Sequence, residues 1–226
     1  MGDADTIRGV WRASLAIIAS YPLATLVPAA VLGAIGEVPG YLMEGRPFSD
    51  QAVTLATAFL AYYLYLAYAE GIVGKIHRGE QRRGLGGALD DLIAAAPFVP
   101  VAFVAALMVN LCTVVATLLL VIPGLWLTTR WSLTTPVIRA EGLGPIAAIS
   151  RSNRLVKGRF WFVFATASAA YYLEGAITHF GALAGGLVTG SHTWGEWAAG
   201  SIVATLIMPL AAFGTSLAYA SVAEQR

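Results

Sequence analysis

From Phe98 to Val137 the chain carries a single charged side chain, Arg130. A run of that length and character has no place in an ordinary soluble core, but it suits a bilayer. The apolar interior of a membrane is ~30 Å thick, and a helix rising about 1.5 Å per residue crosses it in about 20 residues. Six stretches are expected to span it: Pro22–Tyr41, Ala52–Gly74, Phe98–Ile122, Gly124–Val137, Phe160–Leu187 and Trp197–Val222. The fourth is short and holds Arg130. The turn signal Val121-Ile122-Pro123-Gly124 before it predicts a helical hairpin of the third and fourth spans. Composition supports the same class. Hydrophobic residues make up 58% of the 226 residues and charged ones 12%, about half the ~25% usual in soluble domains. That excludes a soluble enzyme. The net charge of +1 gives no general attraction to nucleic acid. Cys112 is the only cysteine, which excludes an internal disulfide and a cysteine-based zinc site.

Three shorter segments read as amphipathic helices lying in the membrane interface. The first occupies residues 1–20, starts at Asp5-Thr6 and carries Ile7, Val10, Trp11, Leu15 and Ile18 on one face. A signal peptide would need a positive start and a longer clean apolar stretch than Leu15 to Ala19. Gly87–Ala95 sets Leu89, Leu92 and Ile93 against Asp90 and Asp91, and Pro145–Lys157 sets Ile146, Ile149 and Val156 against Arg151, Arg154 and Lys157. Each precedes a predicted span, so the chain resembles a loose threefold repeat of interfacial helix and hairpin.

The expected fold is therefore all-α: one polytopic domain over residues 1–226 with six transmembrane helices and three interfacial ones. Twelve of the 14 lysines and arginines fall on one side of this arrangement. By the positive-inside rule that side is the cytoplasm, which holds both termini. Within it, Arg151, Arg154, Lys157 and Arg159 are expected to contact anionic lipid of the inner leaflet, at ~1 kcal/mol for each charge near the surface.

Charges at bilayer depth are costly and are expected to find partners. Arg130 lies six residues after Gly124, about 9 Å below the outer surface by helical rise. Glu174 lies fifteen residues beyond Arg159, and Glu37 fifteen beyond Pro22; both reach about the same level, about 22 Å from the cytoplasmic side. A buried Arg130–Glu174 pair with Glu37 nearby is the expected polar layer. It serves either to fix helix register or as a site for an anionic headgroup or a proton. His179, His192 and Glu196 match no standard metal-ligand spacing, and no metal or other cofactor is expected. Tyr62, Tyr63, Tyr65 and Tyr68 crowd one span, where they either line a groove or pack against neighbouring helices.

The stretch IPGLWLTTRWSLTTPVIRAEGLGPIAAISRSNRLVKGRFWFVF, residues 122 to 164, resembles a bacterial membrane-protein superfamily that includes the membrane domain of glycerophosphodiester phosphodiesterases. Pro123-Gly124, Arg130-Trp131, Pro136, Glu141-Gly142, Ser152, Leu155 and Lys157-Gly158-Arg159-Phe160 carry the likeness, with a shorter match over Gly71–Glu80. The resemblance implies a stand-alone membrane domain of the bacterial inner membrane and no single activity. His77-Arg78-Gly79 also matches a tripeptide of the phosphodiesterase catalytic domain, but the acidic ligands, second histidine and soluble barrel which that chemistry needs do not follow it. The expected function is a non-catalytic accessory or scaffold subunit, in contact with lipid and within a larger complex or a homo-oligomer. The alternative is a small transporter or lipid-translocating protein using Arg130, Glu174 and Glu37.

Overall fold

A computed structural model describes residues 6–42, 48–80, 85–190 and 194–224, with side chains left out at 37–42, 48–52, 54 and 55. The described residues are helical and contain no strand. In chain order the helices are α1 (Ile7–Ser20), α2 (Pro22–Leu42), α3 (Phe48–His77), α4 (Leu85–Ala95), α5 (Val99–Leu119), α6 (Val121–Trp131), α7 (Thr134–Glu141), α8 (Pro145–Val156), α9 (Phe160–Val163), α10 (Ala169–Thr189) and α11 (Trp194–Ala223). A 3₁₀ turn at Ala96–Phe98 joins α4 to α5, and a π-helical segment at Phe164–Ser168 joins α9 to α10.

Three of these stretches, Ala56–His77, Leu85–Leu119 and Trp194–Ala223, are long and apolar enough to cross a membrane. The count rises to four if the bent pair Ile7–Ser20 and Pro22–Gly36 forms one broken span. This marks a membrane protein but corrects the expected six spans. Gly124–Val137 is not one helix: it breaks at Ser132-Leu133 into α6, of 11 residues, and α7, of 8. Eleven residues reach only about 16 Å. Phe160–Leu187 is divided among α9, the π segment and α10, and Glu174, His179 and two tyrosines lower the apolarity of α10. Pro22–Tyr41 enters only through the 94° bend with α1. That bend falls at Tyr21, whose backbone (φ −134°, ψ 54°) has left the helical region, as expected before a proline.

Exposed apolar surface is plain on α5, α6 and α10. Leu118 and Ile122 are 81% and 80% exposed, and Val188 is 86% exposed; side chains of this kind contiguous on a surface require an apolar environment. The α5–α6 hairpin turns at one extended residue, Leu120. Pro123 falls in the first turn of α6, where no helical hydrogen bond needs its N–H. Gly124 is buried against Thr117, and a Cβ there would overlap that side chain.

The three predicted amphipathic segments are all helices. Thr6 caps α1, its hydroxyl accepting from the Gly9 N–H at 3.0 Å. The helix buries Val10, Ser14 and Ile17, leaving Ile7 and Leu15 outward, and Trp11 reaches Gly214 of α11. In α4, Asp91 points inward and pairs with Lys75, whereas Leu89 and Ile93 face out. Outward leucines with an inward paired aspartate invert the soluble pattern, as lipid surroundings favour.

Two features tie the core. Pro28 has no N–H, so the Ala24 carbonyl four residues earlier lacks its helical donor; the buried Tyr68 hydroxyl of α3 donates to it. Its neighbour Tyr65 donates to the Thr25 carbonyl at 2.9 Å. Gly181 and Gly185 of α10 lie against Val203, Ala199 and Gly195 of α11, so this Gly-x-x-x-Gly pair packs helices within the chain.

Candidate binding site

The helices leave a cavity between them rather than a fully sealed core. It measures about 440 Å³ and lies between α3, α5, α6, α7 and α10, with the π segment and α11 contributing to its wall. Apolar side chains such as Leu66, Val114 and Leu125 alternate in its wall with Asn110, Thr113, Thr128, Ser168 and Thr215. Several of these polar groups are satisfied by backbone. Asn110 donates to the Ala106 carbonyl at 2.8 Å, Thr128 to Gly124 at 2.9 Å and Thr215 to Ala211 at 2.9 Å. Tyr172 then donates to the Thr128 hydroxyl at 2.9 Å. Two groups differ. The Thr113 and Ser168 hydroxyl oxygens are buried and make no hydrogen bond with protein, and Ser168 is only 1% exposed. An unpaired buried hydroxyl costs about 1–3 kcal/mol, so both hydroxyls are open to a hydrogen bond from outside the chain.

Ser168 owes its place to the π segment. One extra residue per turn there turns Thr166, Ala167 and Ser168 inward, and the widened turn seats the Thr166 carbonyl against Gly214 of α11, 2.9 Å from where a Cβ would lie. Such π turns recur at functional positions in helices.

A second cavity, about 330 Å³, lies between α2, α3, α10 and α11. Tyr62, Tyr63 and Tyr171 line both cavities, which adjoin at these rings. Their rings interlock edge to face, Tyr62 with Tyr63 at 5.4 Å between centroids and with Tyr171 at 5.8 Å. The four tyrosines of α3 therefore divide: Tyr65 and Tyr68 pack and brace α2, and Tyr62 and Tyr63 line cavities.

The expected polar layer is not assembled. Arg130 donates through Nη1 to the Asn153 side-chain oxygen at 2.8 Å and stacks over Trp126 at 4.2 Å. Glu174 lines the second cavity near Tyr62 and Tyr171, on which its charge acts. The structure thus gives Arg130 and Glu174 different surroundings, and the Glu37 side chain lies outside the described residues. The depth arithmetic failed because it ran Arg130 down a continuous span, whereas α6 ends at Trp131 and the chain turns into α7 and α8. Asn153 and Ser152 on α8 then hold Arg130 from the side predicted to be cytoplasmic.

Of the four cations on and after α8, Arg151 is engaged with Glu141, its Nε lying 3.0 and 3.1 Å from the two carboxylate oxygens. Glu141 in turn accepts from Tyr219 at 3.1 Å. Arg159 folds back over Phe162 at 5.4 Å. Arg154, 3.4 Å from the Ser150 hydroxyl, and Lys157 are exposed. Lys157 is the residue that ends α8, so the cations do not form one continuous helical stripe.

Sequence reasoning missed Glu70. It is 5% exposed, and its Oε2 and the Arg139 Nε both lack hydrogen-bond partners. The charges interact, and the Arg139 guanidinium lies against Gly71, 3.3 Å from where a Cβ would be, and over the Phe98 ring at 4.4 Å. The available signal was that Glu70 is the only acidic residue between Ala52 and Gly79.

His77-Arg78-Gly79 forms the end of α3. Gly79, at φ +70°, donates to Ile76 and the Glu80 N–H returns to Lys75, both at 3.0 Å, the double closure of a Schellman cap. Arg78 Nε donates to Glu80 at 2.6 Å, and that hydrogen bond holds the exposed Glu80 carboxyl below the usual carboxylate range. Among the described residues no three His, Cys, Asp or Glu side chains cluster as a metal site. His179 is exposed, and His192 lies outside the described residues. Comparison of the chain with protein-family models, with curated proteins and with solved structures finds no match.

Proposed function

We propose that the chain is a non-catalytic, multi-pass module of the bacterial inner membrane that holds a lipid-like amphiphile in the larger cavity. Its role on this reading is that of an accessory or scaffold subunit of a larger membrane assembly or homo-oligomer. The observation that carries it is the pairing of an apolar wall with two buried, unpartnered hydroxyls, Thr113 and Ser168. Such a lining suits an alkyl chain with an ester or hydroxyl group. The resemblance of residues 122–164 to phosphodiesterase membrane domains supports a lipid-facing role. With both termini cytoplasmic, Arg154 and Lys157 would lie nearest the anionic inner leaflet, with Arg151 and Arg159 behind them.

Native mass spectrometry of the gently solubilised protein tests the reading. The parent chain is expected to retain a lipid-like molecule, and Ala106→Phe, which fills the cavity from α5, is expected to lose it while keeping its thermal stability. A parent that carries and takes up no amphiphile would sink the proposal. A second reading, translocation, is favoured by the tyrosines common to both cavities; a passage there would use Tyr62, Tyr63, Tyr171 and Glu174 without Arg130. A proteoliposome flux assay separates the two readings, since a scaffold moves no lipid.

A further inference from the structure

The second cavity differs from the first in kind. Its wall holds one carboxylate, Glu174, and an aromatic group made of Tyr62, Tyr63, Tyr171 and Phe59. Phe59 stands 5.7 Å from Tyr63 between centroids, so the four rings form one connected set. Glu174 follows Tyr171 by three residues and Thr178 follows Glu174 by four, which puts all three on one face of α10. Thr178 Oγ1 is buried with no hydrogen-bond partner. Neither cavity has a lysine, arginine or histidine among its described lining residues. A carboxylate beside several ring faces, with no cation among the described lining residues, attracts positive charge.

We infer that the two cavities form one bipartite site for an amphiphilic organic cation, whose alkyl chain, with an ester or hydroxyl group at Thr113 and Ser168, lies in the larger cavity and whose ammonium group lies among Tyr62, Tyr63, Tyr171 and Glu174. The rings supply cation–π attraction to a substituted ammonium, which sheds water more readily than a small ion. The carboxylate supplies net charge, and with about four lone-pair positions it serves a ligand alongside protein partners. Thr178 offers a further oxygen to an ammonium N–H. The same argument disfavours anionic phosphate or carboxylate heads at this end. This inference rests on the amphiphile-binding reading above and names the ligand class for it.

The test is competition for bound Nile red, an uncharged dye, on the full chain in phosphatidylcholine nanodiscs, with empty nanodiscs subtracted. The competitors are dodecyltrimethylammonium and its chain-matched uncharged counterpart, dodecanol. The ammonium should displace the dye at a concentration about tenfold lower than the alcohol. Glu174→Gln should abolish that preference while leaving displacement by dodecanol unchanged, which also shows the variant is folded. Equal potency of the two competitors on the parent chain overturns the inference, as does a preference that survives in Glu174→Gln. If that variant does not fold, Tyr171→Leu is read in its place, and an undiminished preference there overturns the inference. Displacement by dodecanol without preference leaves the amphiphile-binding reading standing. Failure of Nile red and of both competitors to bind defeats both readings.

Discussion

The Arg130 guanidinium reaches the side-chain oxygen of Asn153 at 2.8 Å, and the Ser152 hydroxyl next to it donates back to the Arg130 carbonyl at 2.9 Å. Two consecutive residues of α8 thus clamp the end of α6 through side chain and main chain together. This explains why an arginine is tolerated in an apolar run: it is held at a helix junction and roofed by Trp126.

Arg130→Gln should therefore destabilise the protein, by about 1.5–3 kcal/mol for a lost hydrogen bond to a charged group. Ser152→Ala should cost about 1 kcal/mol. Thermal unfolding in detergent checks both. Because the residues share one junction, the double variant should lose less than the sum of the two. An Arg130→Gln protein as stable as the parent would show that the clamp contributes nothing.

The Tyr68 hydroxyl and Pro28 make a second, conditional pair. Tyr68→Phe leaves the Ala24 carbonyl without a donor and should cost about 1–3 kcal/mol. Pro28→Ala restores an N–H at the position that would serve that carbonyl. In the Pro28→Ala background the cost of Tyr68→Phe should fall to about half or less. An unchanged cost in both backgrounds would show that the proline is not the reason for the tyrosine.

Glu70 and Arg139 should behave as a coupled pair. Glu70 is buried and Arg139 half-buried, so removing either should cost about 1–3 kcal/mol by leaving the other group poorly satisfied. Glu70→Gln and Arg139→Gln are each expected to lower stability. Combined, they should recover about 1 kcal/mol or more relative to additivity. Denaturant unfolding of the four proteins measures the coupling, and strict additivity would mean that the charges act independently.

Gly214→Ala tests the π segment. The added methyl would stand 2.9 Å from the Thr166 carbonyl, a main-chain atom with little room to yield. Overpacking of this kind costs about 1–3 kcal/mol. Since Thr166 and Ser168 belong to the same widened turn, the variant should also weaken Nile red binding in the larger cavity. Loss of stability with binding intact would separate the turn from the site.

Much of the architecture was legible in the order of residues. The apolar runs identify a membrane protein because no other solvent accepts them. Thr6 and Pro145, expected to open two of the amphipathic segments, stand at helix starts in the structure, since capping depends on neighbours along the chain. The helical character of Gly87–Ala95 and Pro145–Lys157 followed from the same local logic. Span number did not. Whether Gly124–Val137 crosses as one rod depends on the break at Ser132-Leu133 and on α7 and α8 packing beside it.

The site was the least legible part. Helical rise set Arg130 and Glu174 at one depth, and opposite charge then made them partners. Partnership, however, is decided by which helix faces which, and α8 supplies Asn153 to Arg130 while α10 carries Glu174 toward three tyrosines. The wall of the larger cavity, too, comes from seven separate elements between Tyr62 and Thr215. The sequence by itself determined solvent, helicity and caps, all of which depend on local composition and spacing. Tertiary packing alone decided where interior space remains and which buried hydroxyls lack a partner, because a cavity belongs to the surfaces that fail to meet and not to any single segment.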